Sequence, residues 1–328
     1  PPRTTRPKTH PRISQKSLKW YEFGRLTKNK LATALSITFA FVATHNHFVL
    51  DRGGKVFNRS APVIKLPAGA SEQDHLRLLG VLNSSVACFW LKQNSYPGGG
   101  DPVGGDGARV SAEKWSERYQ FNSTTLNNFP LPSESTLPRS QALDSTAQRL
   151  QQHTPSAIAE RETPTQAVLA AAYAGYHRLR GLMIAHQEEL DWDYYRIYGL
   201  IEDDLTYSGG LPEIALGERA FEIAMARKMQ SGEEETAWFT RHGSTPTTEI
   251  PAHLPADYRD LIQRRLDSIA SNASIRLLER PEYKHRWAVE PWEKQVDSAL
   301  RGWLLDRVED RSLWFDRDGR PTPRSVAQ

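Results

Sequence analysis

The sequence has little sulphur and no long apolar run, and each shortage excludes a class of protein. Cys88 is the one cysteine among 328 residues, so the chain can form no internal disulfide. It lies in an apolar segment, which favours a small buried side chain over a reactive nucleophile. No apolar run approaches the roughly 20 residues that a membrane span requires, and no signal-peptide pattern opens the chain. These features predict a cytoplasmic protein.

Methionine is scarce as well, and acidic residues are rare at the start of the chain. The first of three methionines is Met183, so we expect the sequence to be part of a longer polypeptide. Residues 1–65 hold thirteen Lys and Arg and two acids, a balance of +11, whereas the whole chain carries +3. This uneven charge indicates a half that faces a polyanion. A solvated basic surface is the alternative.

Hydrophobic periodicity predicts an α+β protein with a mixed small-sheet part and a mainly helical part. Alternating apolar residues between 35 and 66 predict short strands, and Asp51-Arg52-Gly53-Gly54 predicts the turn of a basic hairpin. A central helix is predicted from Ser71, whose capping-box partner is Asp74, through Trp90. Further helices are predicted over residues 168–189, 212–229, 256–269 and 291–308.

Several short segments together resemble a known family. Residues 78–85, LLGVLNSS, are similar to the LLGILNS helix in target-recognition domains of adenine-specific DNA methyltransferases and fused restriction–methylation enzymes. Residues 126–132, LNNFPLP, match the apolar segment that follows that helix. With residues 44–66 and 188–200, the ordered set resembles the C-terminal part of the methyltransferases of type 2 BREX phage-defence systems. On physical grounds alone, LLGVLNSS also fits a packing notch in a buried helix.

The resemblance implies an arrangement of domains and partners. It implies a basic arm over residues 1–17, a DNA target-recognition domain over 18–135, a linker with one short helix over 136–166, a helical domain over 167–315 and a tail over 316–328. The implied partners are double-stranded DNA, an upstream methyltransferase domain that binds S-adenosylmethionine, and other proteins of the defence system. The C-terminal parts would brace the recognition domain or dock those proteins.

Two patterns that adenine methylation requires do not occur in this sequence. The family holds a flipped adenine on an Asn/Asp-Pro-Pro-Tyr/Phe segment and binds S-adenosylmethionine on a glycine-containing turn after a strand. Asn128-Phe129-Pro130 has a different order, and the glycine-rich residues 97–107 follow a predicted helix and predict a flexible surface loop. We therefore assign no catalytic, cofactor-binding or metal residues, and expect catalysis to lie in the upstream domain.

The candidate functional residues are instead DNA contacts in the basic N-terminal half. Asparagine can pair with an adenine edge, and histidine can donate to bases or phosphates, which makes the His45-Asn46-His47 run a candidate. A strand-end pair with local hydrogen bonds is the alternative, and a metal site is disfavoured because no Cys or carboxylate lies at ligand spacing. The complete set of predicted DNA-contacting residues is Lys28, Lys30, His45, Asn46, His47, Arg52, Lys55, Asn58, Arg59 and Lys65.

Three other interpretations remain at this point. A metal-dependent nuclease would use Asp101, Asp106 and Glu113, the acids available in the N-terminal half. A protein-interaction scaffold would bind an acidic partner through the basic arm. The acidic and aromatic run at 188–198 predicts a helix–helix corner whose aromatic residues pack while its acids stay in solvent, with a sugar or cation pocket as the alternative.

Overall fold

The computed structural model describes residues 34–99, 113–287 and 289–322, and it confirms the predicted α+β class. Two small antiparallel sheets lie in the N-terminal part, and helices form most of the rest. The first sheet has the order β3-β1-β4 and the second the order β2-β6-β5. The strands are β1 (Ser36–Phe39), β2 (Val42–Ala43), β3 (Phe48–Asp51), β4 (Val63–Ile64), β5 (Tyr96–Gly99) and β6 (Arg118–Gln120).

The apolar face of the first sheet builds the N-terminal core. In β1, Ile37 lies opposite Leu50 of β3 and Ile64 of β4, and Ile37 is fully buried. The alternation over residues 37–44 predicts one strand, but the structure divides it at residues 40–41, so that β1 and β2 join different sheets. One strand-like pattern thus supplies both sheets.

The turn predicted at residues 51–54 is present, but the predicted hairpin is wrong. Gly53 and Gly54 adopt positive φ values of 94° and 80°, which glycine tolerates without steric cost. No strand follows in the described residues between β3 and β4. Val56 in this loop is 72% exposed, so its side chain buries little apolar surface. β3 pairs with β1 instead, through the connection that carries His45 and His47.

The central helix predicted through Trp90 is two helices, α1 (Glu72–Leu82) and α2 (Ser85–Gln93). The predicted capping box is confirmed, since Ser71 Oγ accepts from the Asp74 amide and the Asp74 carboxylate accepts from the Ser71 amide. Ser84 then caps α2 by accepting from the Ala87 amide at 3.2 Å. Ser and Asn compete for backbone hydrogen bonds in a helix interior and favour caps, which explains the break.

Helices form most of the remainder of the described chain. The longest of them, α6 (Gln166–Ile197), runs continuously through residues 188–197, so the predicted helix–helix corner there is wrong. The helices that follow α2 are α3 (Ser123–Asn127), α4 (Leu137–Gln152), α5 (Pro155–Arg161), α6 (Gln166–Ile197), α7 (Ala220–Ser231), α8 (Trp238–His242), α9 (Ala256–Ser271), α10 (Ala273–Leu278), α11 (Trp292–Val308) and α12 (Arg311–Trp314). No helix within the described ranges is long and apolar enough to cross a membrane.

The helix predicted from residue 212 begins only at Ala220. Gly217 has a φ of 99°, which ends any helix from Pro212, and Arg219 and Glu222 form the start of α7. The apolar face predicted for α9 is confirmed, because Tyr258, Leu261, Ile262, Leu266 and Ile269 are all buried. In α11 the predicted apolar face is partly buried. Trp292, Val296, Ala299 and Trp303 are half-buried, whereas Leu300 and Leu304 are 37% and 56% exposed.

The two parts of the chain share packing. Leu190 and Tyr194 of α6 belong to the same apolar cluster as Ile37 and Leu50 of the first sheet. The segment predicted as a linker is mostly helical, and its α4 packs against both α1 and α6. This arrangement brings residues that are far apart in the sequence to one cavity.

Gly80 provides the close approach between α1 and α4, as the packing-notch interpretation predicts. A Cβ at this position would lie 2.0 Å from Ser140 Oγ and 3.2 Å from Ser140 Cβ. We expect Gly80→Ala to lower the free energy of unfolding by about 1–3 kcal/mol through overpacking, measured by urea unfolding. Adding Ser140→Ala should recover part of the loss, since it removes the nearer atom.

A matched glycine separates overpacking from helix propensity. Gly302 is an exposed residue of α11, and no atom lies within 4 Å of a Cβ built there. Gly302→Ala should therefore stabilise the protein by roughly 0.5–1 kcal/mol. Equal effects of the two substitutions would contradict the close approach at Gly80.

Candidate functional site

A cavity of about 580 Å³ lies between the first sheet and the helical part. Ligand sites commonly have volumes of about 300–1,000 Å³, with apolar walls and a few polar groups. The histidines at positions 45, 47 and 285 are the polar group of interest, because they come from distant parts of the sequence. The apolar part of the wall includes Phe48, Leu50, Leu79, Leu143, Met183 and Leu190.

The three histidine rings form one cluster. The ring centroid of His285 lies 5.2 Å from that of His45 and 5.2 Å from that of His47, and the centroids of His45 and His47 are 6.2 Å apart. One nitrogen from each ring can be chosen so that all three lie within 4.8 Å of one another. The geometry therefore directs three potential ligand atoms at one small volume.

Asn46 fixes the two N-terminal histidines. Its side chain is buried, and its amide nitrogen donates to the carbonyl oxygens of Leu82 and Ser84 at 2.6 and 3.0 Å. These carbonyls lie at the break between α1 and α2. Because Asn46 stands between His45 and His47, its attachment sets the position of both histidines against that break.

His285 is fixed by buried charged residues on both sides. Arg219, paired with Glu222 at 2.7 Å, donates to the carbonyl oxygen of His285 at 2.9 Å. The neighbouring Lys284 is fully buried and bonds to Asp191 at 2.8 Å. The segment that carries His285 is therefore held to α6 and α7 by charge-assisted bonds.

The surroundings of the three imidazoles favour their neutral form. Desolvation lowers the pKa of His45 and of His285 well below the ordinary value, and it also lowers the pKa of His47. Two ring nitrogens, His45 Nε2 and His285 Nδ1, are buried without a hydrogen-bond partner. Thr44 Oγ1 lies 3.3 Å from His45 Nδ1, so Nε2 is the nitrogen of this ring that has no partner.

The LLGVLNSS segment connects the elements that surround this site. Asn83 bonds to both the amide and the carbonyl of Phe48, at 2.9 Å each, and so ties α1 to β3. Asp191 of α6 accepts from the amide and the hydroxyl of Ser85, at 2.8 and 2.7 Å, at the first turn of α2. A carboxylate at that end of a helix is favoured by the helix dipole. The segment thus connects sheet, helix break and helical part.

The acids of residues 188–191 are buried, so the prediction that they stay in solvent is wrong. Burial is possible because cations from distant segments compensate them. Arg265 of α9 pairs with Glu189 at 2.8 Å, and Lys284 pairs with Asp191 and Glu279 at 2.8 Å each. The same network anchors the segment before His285.

Two of the predicted DNA-contacting residues make structural contacts within the protein. Asn46 is buried, as described above. The guanidinium of Arg52 bonds to the carboxylates of Glu72 and Asp144, at 2.6 and 2.5 Å, and so connects β3 to α1 and α4. We therefore leave Asn46 and Arg52 out of the DNA-facing set that we propose below.

The other predicted residues of the loop are exposed. Lys55, Asn58, Arg59 and Lys65 all lie on the surface between β3 and α1. Asn58 shapes the loop by accepting from the Ser60 amide at 2.9 Å, and the Arg59 guanidinium lies over the Phe41 ring. No acidic residue occurs between positions 53 and 71.

The remaining predicted residues fall into two groups. Lys28, Lys30, Asp101 and Asp106 lie outside the described residues. Glu113 is described, and its carboxylate accepts from Thr236 Oγ1 and the Ala237 amide at the start of α8. Cys88 is fully buried, as predicted, and burial raises the pKa of its thiol.

Sequence reasoning missed His285. Its surroundings, Tyr283-Lys284-His285-Arg286-Trp287, contain no second histidine or cysteine at ligand spacing. A long helical region separates it from His45 and His47, so only the packing of the two parts brings them together. Considering every histidine of the chain as a possible third ligand would have included His285, but nothing in the sequence would have favoured it over the others.

Comparison with known proteins agrees with the resemblance seen in the segments. The chain is 54% identical over 314 residues to the adenine-specific methyltransferase PglX of Streptomyces coelicolor. The chain is similar to part of PglX. The match covers 94% of this chain and 26% of PglX, and it confirms the predicted resemblance to the C-terminal part of such a methyltransferase.

A second match covers the helical half. The family model described as a domain of unknown function, DUF7008, matches residues 183–328. His285 and the buried acids of α6 lie inside this match, whereas His45 and His47 lie outside it. No solved structure matches the chain.

Proposed function

We propose that this chain is the target-recognition part of a site-specific adenine-N6 DNA methyltransferase. The observation that carries the proposal is the 54% identity to PglX across nearly the whole chain. The proposal assigns S-adenosylmethionine and the catalytic motif to a methyltransferase domain outside this sequence. Phage defence of the BREX type and a cytoplasmic location belong to the same proposal.

The exposed loop between β3 and α1 is the proposed DNA contact. Lys55, Arg59 and Lys65 give this loop three positive charges with no acid among them. Lysine and arginine that contact phosphates position a protein on the duplex and add salt-dependent affinity. The loop is anchored at one end by Arg52, so that the cations extend from a fixed base.

Replacing Lys55 and Arg59 by Glu should weaken duplex DNA binding for all sequences alike. Each lost phosphate contact lowers the slope of log affinity against log salt by about one, so the double variant should lose about two. A salt titration of binding, read by fluorescence anisotropy with several duplexes, measures the slope. Unchanged affinity and slope would refute the loop as the DNA contact.

A variant with the same change of charge serves as the control. Arg264 of α9 and Lys294 of α11 are exposed cations of the helical part. Their joint replacement by Glu should leave the salt slope unchanged. Equal losses in both double variants would indicate a general effect of net charge and not a local contact.

A further inference from the structure

We propose that His45, His47 and His285 bind one divalent transition-metal ion, with Zn²⁺ as the best match to the donor set. Three imidazoles with one open position is a ligand set that zinc accepts in proteins. The inference goes beyond the proposed function, because DNA recognition by the basic loop requires no metal.

The geometry requires only a small closure of the rings. Nitrogens bound to a tetrahedral ion at about 2.0–2.1 Å lie roughly 3.4 Å from one another. The three chosen nitrogens already lie within 4.8 Å of one another. Rotation of the side chains, with the backbone fixed by Asn46 and Arg219, can supply the difference.

The unpartnered nitrogens give an independent reason to expect a ligand. Buried polar atoms nearly always have a hydrogen-bond partner, because leaving one unpaired costs about 1–3 kcal/mol. His45 Nε2 and His285 Nδ1 have none, although His285 is only 9% exposed. A metal ion bound through these two nitrogens would satisfy both. Thr44, near His45 Nδ1, supplies the outer contact that orients a metal-binding imidazole.

The surroundings favour a metal that imidazole binds strongly. Lys92 and Arg286 are the cations whose charges act on His45, and they oppose the binding of any cation. Lys92 Nζ is held at 2.6 Å from the Glu282 carbonyl, and the Arg286 guanidinium lies over the Trp115 ring. Affinity must therefore come from coordination bonds. This condition selects Zn²⁺, Co²⁺ or Ni²⁺ over Mg²⁺ and Ca²⁺, which prefer oxygen ligands.

The proposed ion would connect the two parts of the chain. His45 and His47 come from the connection between the two sheets, and His285 comes from the segment after α10. A bound ion adds a cross-link between them and stabilises the folded state, since the unfolded chain does not bring these residues together. The three histidines line the cavity, so an ion bound to them would lie at its wall.

The test measures metal binding by the untagged chain. After incubation with ZnSO₄ and gel filtration, we expect one zinc per chain by mass spectrometry and a higher melting temperature than with chelator. Co²⁺ in place of Zn²⁺ should give the visible absorption of a four-coordinate site. Absence of bound zinc together with an unchanged melting temperature overturns the proposal. So does an equal rise in melting temperature with Mg²⁺.

Single substitutions decide which residues bind the ion. His47→Gln and His285→Gln should each weaken zinc binding at least tenfold, the lower end of what outer contacts alone contribute. His253→Gln, an exposed histidine beside Glu218, is the matched control and should leave the affinity unchanged. His47 is exposed, so its variant should fold and keeps the test decisive if the His285 variant does not. Zinc binding retained in a folded His47→Gln variant overturns the proposed ligand set.

Discussion

Replacing Lys284 by Met should lower the free energy of unfolding by about 3–5 kcal/mol, the usual cost of removing one partner from a buried ion pair. The Lys284 side chain is fully buried, and its ammonium lies 2.8 Å from Asp191, 2.8 Å from Glu279 and 3.4 Å from Glu188. Methionine has a similar shape but leaves three buried carboxylates without their shared cation. Urea unfolding followed by circular dichroism measures the change.

Two variants test the electrostatic cause. Lys294→Met removes an exposed lysine from α11 and should change the stability by no more than about 0.5 kcal/mol. Adding Glu188→Gln to Lys284→Met should recover part of the loss, because one of the uncompensated carboxylates is removed. If the double variant is no more stable than Lys284→Met, loss of packing and not of charge is the cause.

The parts of the fold that depend on neighbours in sequence could be predicted. The capping box of Ser71 and Asp74 and the buried face of α9 follow from spacings of three and four residues. The glycine turn at residues 53–54 was equally visible. Local patterns did not reveal what β3 pairs with, because the choice between β1 and the segment at Val56 depends on which side chains become buried.

The charged residues of α6 show why the candidate site could not be predicted. Acids in a sequence are normally expected in solvent, since burying a charge is costly. Glu189 and Asp191 are buried because Arg265 and Lys284 meet them in the fold. The same packing places the ring of His285 beside that of His45. Asn46 likewise has the chemistry of a base-reading residue, but the break between α1 and α2 provides carbonyl oxygens that it bonds instead.

Stability should depend on pH through Glu188. Burial raises the pKa of its carboxyl to about 7. The cations Lys284 and Arg219 oppose the rise, and the carboxylates Glu279 and Asp191 add to it. Between the ordinary value of 4.5 and about 7, the folded protein holds a proton that the unfolded chain releases. The free energy of unfolding contributed by this group therefore falls as pH rises through that window.

Glu188→Gln should remove this dependence. The difference between a pKa of about 7 and 4.5 corresponds to about 3 kcal/mol at most. We expect the stability of the variant, relative to the parent, to rise by up to that amount between pH 4 and pH 8, which lie ~0.5 and ~1 unit outside the two ends of the window. Urea unfolding at each pH measures it, and Glu235→Gln, at an exposed carboxyl, should give parallel profiles. Parallel profiles for Glu188→Gln too would mean that Lys284 keeps this carboxyl ionised in the folded protein.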